Sequence, residues 1–352
     1  LVDVATGAVV TEFVPVPIQA PSATEESGQR QLAAAHGMPL ETAAIPNVEQ
    51  ERELLPRDKL LELQVEPRSI SFRSLDDSVQ LVVNAVYASG QVCDVTRLVS
   101  VSADEQLASV SPLGLVRPQG LGSGKLKIRF QDNSLTVGLV VEPVAEQSVD
   151  FIRDVNPILS RLGCNSGTCH GAQKGKNGFQ LSLRGYDPLG DVRALGDDLR
   201  SRRLNSAAPD SSLMLLKPIG AVPHQGGVLM SADSVHYDVL RRWIAAGAPL
   251  DTTSPKVASI EVYPNQPVIE REGAWQQFHV VAHYPDGSSR DVTQEAFVES
   301  GNGEVCKSFA GGRVQALRRG EAPILARYEG AYAAATVTVM GQRDGFAWQE
   351  PD

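Results

Sequence analysis

A repeat at a fixed offset constrains this chain more than any other feature. Residues 62–67 (ELQVEP) match 259–264 (SIEVYP), and 86–90 (VYASG) match 283–287 (HYPDG), both at an offset of 197. The offset holds at Asp94-Val95-Thr96 against Asp291-Val292-Thr293. It then slips by one, so that Arg129-Phe130 matches Arg327-Tyr328. A repeat of this length requires two copies of one unit, and the intervening residues must be accommodated between them. Within each copy apolar and polar residues alternate in short runs, such as Leu61, Leu63, Val65 and Val79, Leu81, Val83, with Gly, Asn or Asp between them. A period of two with turn residues at the breaks predicts antiparallel strands, and about 85 residues of them predict a small β-sandwich.

The segment between the copies changes period. Ile152, Val155, Leu159 and Leu162 mark one face of a helix running toward Gly163. Val235, Val239, Trp243 and Ile244 mark another, with Ser231 as its expected N-cap and Gly247 as its stop. Directly after Gly163 stands Cys164-Asn165-Ser166-Gly167-Thr168-Cys169-His170. Two thiols followed at once by an imidazole are what covalent haem attachment uses: the thiols add to the porphyrin vinyl groups and the imidazole reaches the iron. The usual spacing has two residues between the cysteines. Four stand here, so the extra length must bulge, and Gly167 is the residue expected to permit it. Three other readings stand beside this one: a local Cys164–Cys169 disulfide, a zinc site of both cysteines with His224, and two unrelated buried thiols.

Composition narrows the class. At 352 residues the chain is long enough for two or three domains, and its 42% apolar and 21% charged residues suit a soluble protein without a membrane span. Between Val149 and Leu250 twelve Lys and Arg stand against nine Asp and no Glu, a net of +3 that leaves −13 for the remainder. That asymmetry argues against nucleic-acid binding and leaves room for a partner steered to the middle segment. The first residue is Leu1, so a processed or excised piece of a longer product is expected. Cys93 and Cys306 sit alone in separate copies and read as buried thiols. His279 and His283 read as surface histidines on a strand, and His236 as a residue on the exposed side of the last helix. Arg200, Arg202 and Arg203 read either as propionate partners or as a solvated turn.

Two family resemblances follow from these residues. The repeated Tyr-x-x-Gly-x-x-x-Asp-Val-Thr pattern, with its Gly-rich turn and closing strand, resembles the bacterial immunoglobulin-like domains of the Big family, which implies a spacer or adhesive module. The blocks 164–172 (CNSGTCHGA), 175–185 (GKNGFQLSLRG), 212–218 (SLMLLKP), 223–227 (PHQGG) and 243–247 (WIAAG) resemble the planctomycete-type cytochrome c domains. In that family the longer cysteine spacing occurs beside immunoglobulin-like domains in large secreted proteins.

The expected fold is therefore multidomain, two all-β immunoglobulin-like sandwiches flanking an α-helical cytochrome c domain. The expected boundaries are an N-terminal segment and linker (1–57), a sandwich (58–144), the cytochrome (145–252), a second sandwich (255–341) and a tail (342–352) leading to further domains. The resemblance implies one covalent haem c on Cys164 and Cys169, with His170 and His224 as axial ligands. Met230, just before Ser231, is the alternative to His224, and Met214 falls in an apolar run that suits a core. The expected function is electron transfer within an exported, periplasmic or envelope protein. Its partners would be a redox protein or fused downstream domains, with no nucleic acid. A carbohydrate- or partner-binding envelope protein with a secondary haem site and a haem enzyme with an open sixth position are the alternatives.

Overall fold

The structure, a computed structural model, describes residues 48–142, 148–197 and 202–341, which lie in one compact unit. Most of the expected N-terminal segment, the tail at 342–352 and Arg200 fall outside the described residues.

The repeat becomes two β-sandwich-like units with the same strand order. In the first copy β1 (Leu60–Glu66), β4 (Val82–Tyr87) and β5 (Val92–Asp94) form one sheet in the order β1-β4-β5. Opposite it lies the sheet β2-β10-β9-β6, built from β2 (Ser69–Phe72), β6 (Ser100–Ser102), β9 (Gly122–Phe130) and β10 (Asn133–Val141). A third sheet, β3-β8-β7, joins β3 (Val79–Gln80), β7 (Ala108–Val110) and β8 (Leu115–Pro118). The second copy repeats each order with β11 (Ser259–Tyr263), β14 (His279–His283) and β15 (Ser289–Asp291) in one sheet, and β12 (Val268–Ile269), β20 (Ala331–Val339), β19 (Gly320–Tyr328) and β16 (Phe297–Ser300) in another. Its third sheet runs β13 (Trp275–Gln277), β18 (Arg313–Ala316), β17 (Cys306–Phe309). Pairing is antiparallel except where β2 meets β10 and β12 meets β20, which run parallel. Over the second half of β9 and of β10 every second residue is buried, Leu126, Ile128 and Phe130 in one and Val137, Leu139 and Val141 in the other. That alternation fills a core in each copy.

The expected α-helical cytochrome c domain is corrected. Between the copies the helices are short: Asn156–Arg161, Pro188–Gly196, Leu213–Leu216 and Val235–Ala245, with 11 residues in the longest, and the described chain is predominantly β. The first begins as a π-helical stretch, Phe151–Val155, capped by Asp150, whose side chain accepts the Arg153 N–H. It stops at Gly163, whose φ of 75° no helix continues through. The apolar periodicity was too brief to carry longer helices, and turns fill the rest. Ile152, Val155, Leu159 and Leu162 are nonetheless buried, as are Val239, Trp243 and Ile244. Phe151 and Trp243 meet with ring centroids 5.3 Å apart at the centre of this third core. The cap of the last helix is Ser234, not Ser231: its Oγ accepts the Tyr237 N–H.

The two copies also bond directly, through corresponding residues. Asp94 Oδ1 accepts the Thr96 N–H at 2.7 Å, and its Oδ2 accepts the backbone N–H of Gln277 in the other copy. Asp291 Oδ1 accepts the Thr293 N–H at 2.8 Å, and its Oδ2 accepts the backbone N–H of Gln80 at 2.6 Å. Asp94 and Asp291, like Gln80 and Gln277, are 197 apart in sequence, so the exchange is reciprocal, the pattern of a two-fold interface. The Gln80 side chain donates to the Leu81 and Leu113 carbonyls, as the Gln277 side chain does to those of Phe278 and Gly311. The tail of the expected linker takes part as well. Helix Val48–Glu53 places Glu51 against Arg97 at 3.0 Å, and Arg97 lies over the Trp275 ring of the second copy.

Candidate functional site

The Cys164–His170 segment closes on itself. The His170 N–H donates to the Cys164 carbonyl at 3.0 Å, and the Cys169 N–H to the Ser166 carbonyl at 3.0 Å. Asn165 is buried inside this turn, its side-chain amide donating to Ser160 Oγ at 2.8 Å, and its carbonyl accepts the Arg184 N–H. The glycine the turn requires is Gly171, not Gly167. A Cβ on Gly171 would stand 2.1 Å from the Asn165 carbonyl oxygen, whereas one on Gly167 would meet only Leu183 at 3.7 Å. A tight hairpin follows, in which Lys176 and Phe179 exchange backbone bonds around Asn177 and Gly178, both at positive φ.

Two imidazoles are held by backbone carbonyls. His170 Nδ1 lies 3.1 Å from the Phe179 oxygen, with the Phe179 ring 4.5 Å from its own, and His224 Nδ1 lies 3.1 Å from the Gly227 oxygen. Burial lowers both pKa values, with Lys217 adding repulsion to each, and His224 itself contributes to lowering His170. Neutral imidazole is therefore favoured in both. A neutral ring with Nδ1 committed to a carbonyl as donor leaves Nε2 with its lone pair. Arg203 lies over the Phe179 ring at 4.4 Å and donates to the Ala194 carbonyl at 2.7 Å, so it braces the hairpin behind His170.

Cys164 and Cys169 are free thiols, so the disulfide reading is not formed. Burial, with the neighbouring Cys169 adding, pushes Cys164 up to about 12. Among the described residues no three His, Cys, Asp or Glu side chains converge as ligands of a bare metal ion, and the zinc reading with His224 is likewise not formed. Met230 and Met214 are both buried in the third core. Cys164 thus lies within electrostatic reach of Cys169, and His170 of His224. Sequence reasoning missed the carbonyls of Phe179 and Gly227, for which only the surrounding glycines gave a signal.

Of the other histidines, His279 and His236 depart from expectation and His283 keeps to it. His279 is 4% exposed rather than on the surface, and its Nε2 lies 3.0 Å from Asp291 Oδ2. His283 is half-exposed beside Glu261. His236 is half-buried, and burial together with Arg161 and Arg117 lowers it to about 4. Cys306 is fully buried and Cys93 half-buried, and burial raises each to about 11.

No family model and no curated protein matches this chain. Solved structures do. Domains 5–6 of the S-layer protein SbsC align over 80% of this chain and 98% of theirs at 12% identity and a TM-score of 0.32. Domains 4–9 align over 81% of this chain and 32% of theirs, again at 12% identity and 0.32. Domains 1–6 align at 9% identity and 0.21, with this chain spanning 29% of their length. The comparisons thus return S-layer β-domains where cytochromes and Big-family modules were expected. The scarcity of helix and the predominance of short strands among the regular elements of the described chain correct the expected membership in those two families and the electron-transfer function that rested on it.

Proposed function

We propose that this chain is a structural module of an exported, cell-surface protein, the setting that the S-layer names of its structural neighbours suggest. The observation that carries the structural role is the reciprocal bonding of Asp94 and Asp291 across the two copies. Two β units tied by corresponding carboxylates form a fixed frame rather than beads on a linker, and the middle unit is fastened to that frame: Arg290 of the second copy donates to Asp154 and to the Arg153 carbonyl, both at 3.1 Å. Among the described residues no helix is long and apolar enough to cross a membrane. The envelope, and the periplasm more narrowly, is the compartment this reading assigns. Protease treatment of intact native cells, compared with lysed ones, tests it. Cleavage or fractionation with the surface or envelope supports the reading, and recovery in the cytoplasm overturns it.

These thiols and imidazoles support a separate proposal for a cofactor: Cys164 and Cys169 as attachment points of one haem c, with His170 and His224 toward its iron and Met230 as the alternative second ligand. The support is the chemistry of the set, two free thiols, the second directly preceding His170 in sequence, and two imidazoles whose Nδ1 atoms are already oriented by carbonyls. A bound haem would supply an iron centre, and the chain's part is to anchor it and hold the two rings. Protein matured with a haem-attachment system should retain haem stain through a denaturing gel, and Cys169→Ala should weaken it. Complete release on denaturation refutes the attachment.

A further inference from the structure

The reciprocal seam between the two copies is broken in one respect, and it is chemical. In the first copy the residue corresponding to His279 is Val82, and Asp94 has as its nearby cation Arg97, with Nη1 at 3.9 Å. A guanidinium is a permanent cation. In the second copy Asp291 has instead the buried imidazole of His279 at 3.0 Å, and the same Oδ2 atom accepts the Gln80 N–H at 2.6 Å. One half of the seam therefore has a permanent cation and the other a titratable one.

We propose that the seam is a pH-sensitive latch, in which protonated His279 holds the Asp291 carboxylate on the Gln80 backbone and loss of that proton loosens this half alone. The charged groups acting on His279 are Asp291 on β15, Glu66 at the end of β1 in the other copy, and Glu261 on the neighbouring strand β11. All three are acidic. Burial alone would lower the imidazole pKa, but these carboxylates, Asp291 foremost, raise it above its ordinary 6.5. With the folded value above the unfolded one, the stabilisation is complete below about pH 6.5 and is lost as pH rises through the folded value. Deprotonation also leaves a bond in which only the acceptor is charged, weaker than the ion pair it replaces. His279 Nδ1 is buried without a partner, so only the Nε2–H tautomer of the neutral ring keeps the bond to Asp291.

The test is hydrogen exchange at the Gln80 and Gln277 amides of the whole chain from pH 6 to pH 9, corrected for intrinsic exchange. Protection of Gln80 should fall by about tenfold while that of Gln277 holds, the scale of one weakened hydrogen bond to a charged group. His279→Val, which copies Val82, should abolish the difference. His279→Gln, which keeps a donor without the charge, serves the same purpose if the valine variant does not fold. A parallel loss at both amides, or a selective fall at Gln80 that survives in the folded variant, overturns the latch.

Discussion

Replacing Asp94 by Asn tests the frame at its most buried point. The Asp94 side chain has no exposed surface. Its two oxygens accept from the N–H groups of Thr96 and Gln277, one in each copy. Asn keeps a single acceptor, so its amide NH2 must face either the Thr96 or the Gln277 N–H, donor against donor. The variant forfeits a hydrogen bond to a charged group, about 1.5–3 kcal/mol, and strands a buried donor at about 1–3 kcal/mol. Removing a buried charge returns part of this through desolvation. The expected net destabilisation is about 2–4 kcal/mol, read from calorimetric or denaturant unfolding of the whole chain, with lost protection of the Gln277 amide as its local signature. Asp58→Asn is the control: Asp58 accepts the Ser89 N–H at 2.6 Å on exposed surface, where water replaces the bond, and it should cost less than about 1 kcal/mol. Equal effects of the two substitutions, or an Asp94→Asn variant with Gln277 fully protected, would refute the reasoning.

Trp243→Ala should destabilise the middle unit by about 3–5 kcal/mol in denaturant unfolding, because the indole is fully buried against Phe151 and donates to the Pro249 carbonyl at 2.9 Å. Gly312→Ala should cost about 2–4 kcal/mol in thermal unfolding. Its φ is +74°, and a Cβ would stand 2.6 Å from the Phe278 carbonyl oxygen beside the seam. Glu329 is raised to about 8 by burial, with Arg290 only partly opposing. Its folded value lies above its unfolded one, so stability should fall as pH rises from about 4.5 through 8, and Glu329→Gln should remove that part of the slope in pH-dependent unfolding.

The duplication could be read from the sequence because the Asp-Val-Thr triplet and the strand alternation recur at one offset. In both copies the structure uses that triplet alike: Thr96 Oγ1 accepts the Val83 N–H at 2.8 Å and Thr293 Oγ1 the Val280 N–H at 2.9 Å. The middle segment was harder to read, because a thiol–imidazole motif says which side chains meet and nothing of the architecture around them. The cap shift from Ser231 to Ser234 shows the same limit, since a serine three residues away is an equally good acceptor and only the packing of Val239 and Trp243 chooses between them. His279 was misread for a different reason. Alternation along a strand separates the inside of one sheet from its outside, but it cannot show that another copy covers the outside. Burial at the seam is thus a property of the pair.

The reciprocal seam has a mechanical consequence. The chain leaves the first β unit after Val141, passes through the middle unit and enters the second at Ser259, yet the two β units are already joined at Asp94 and Asp291. A load drawn between the two units has two routes, and the short one across the seam is the stiffer. Tension is therefore borne first by the paired carboxylate bonds, and the middle unit is shunted out of the load path until they part. Cys164, Cys169, His170 and His224 all lie in that branch.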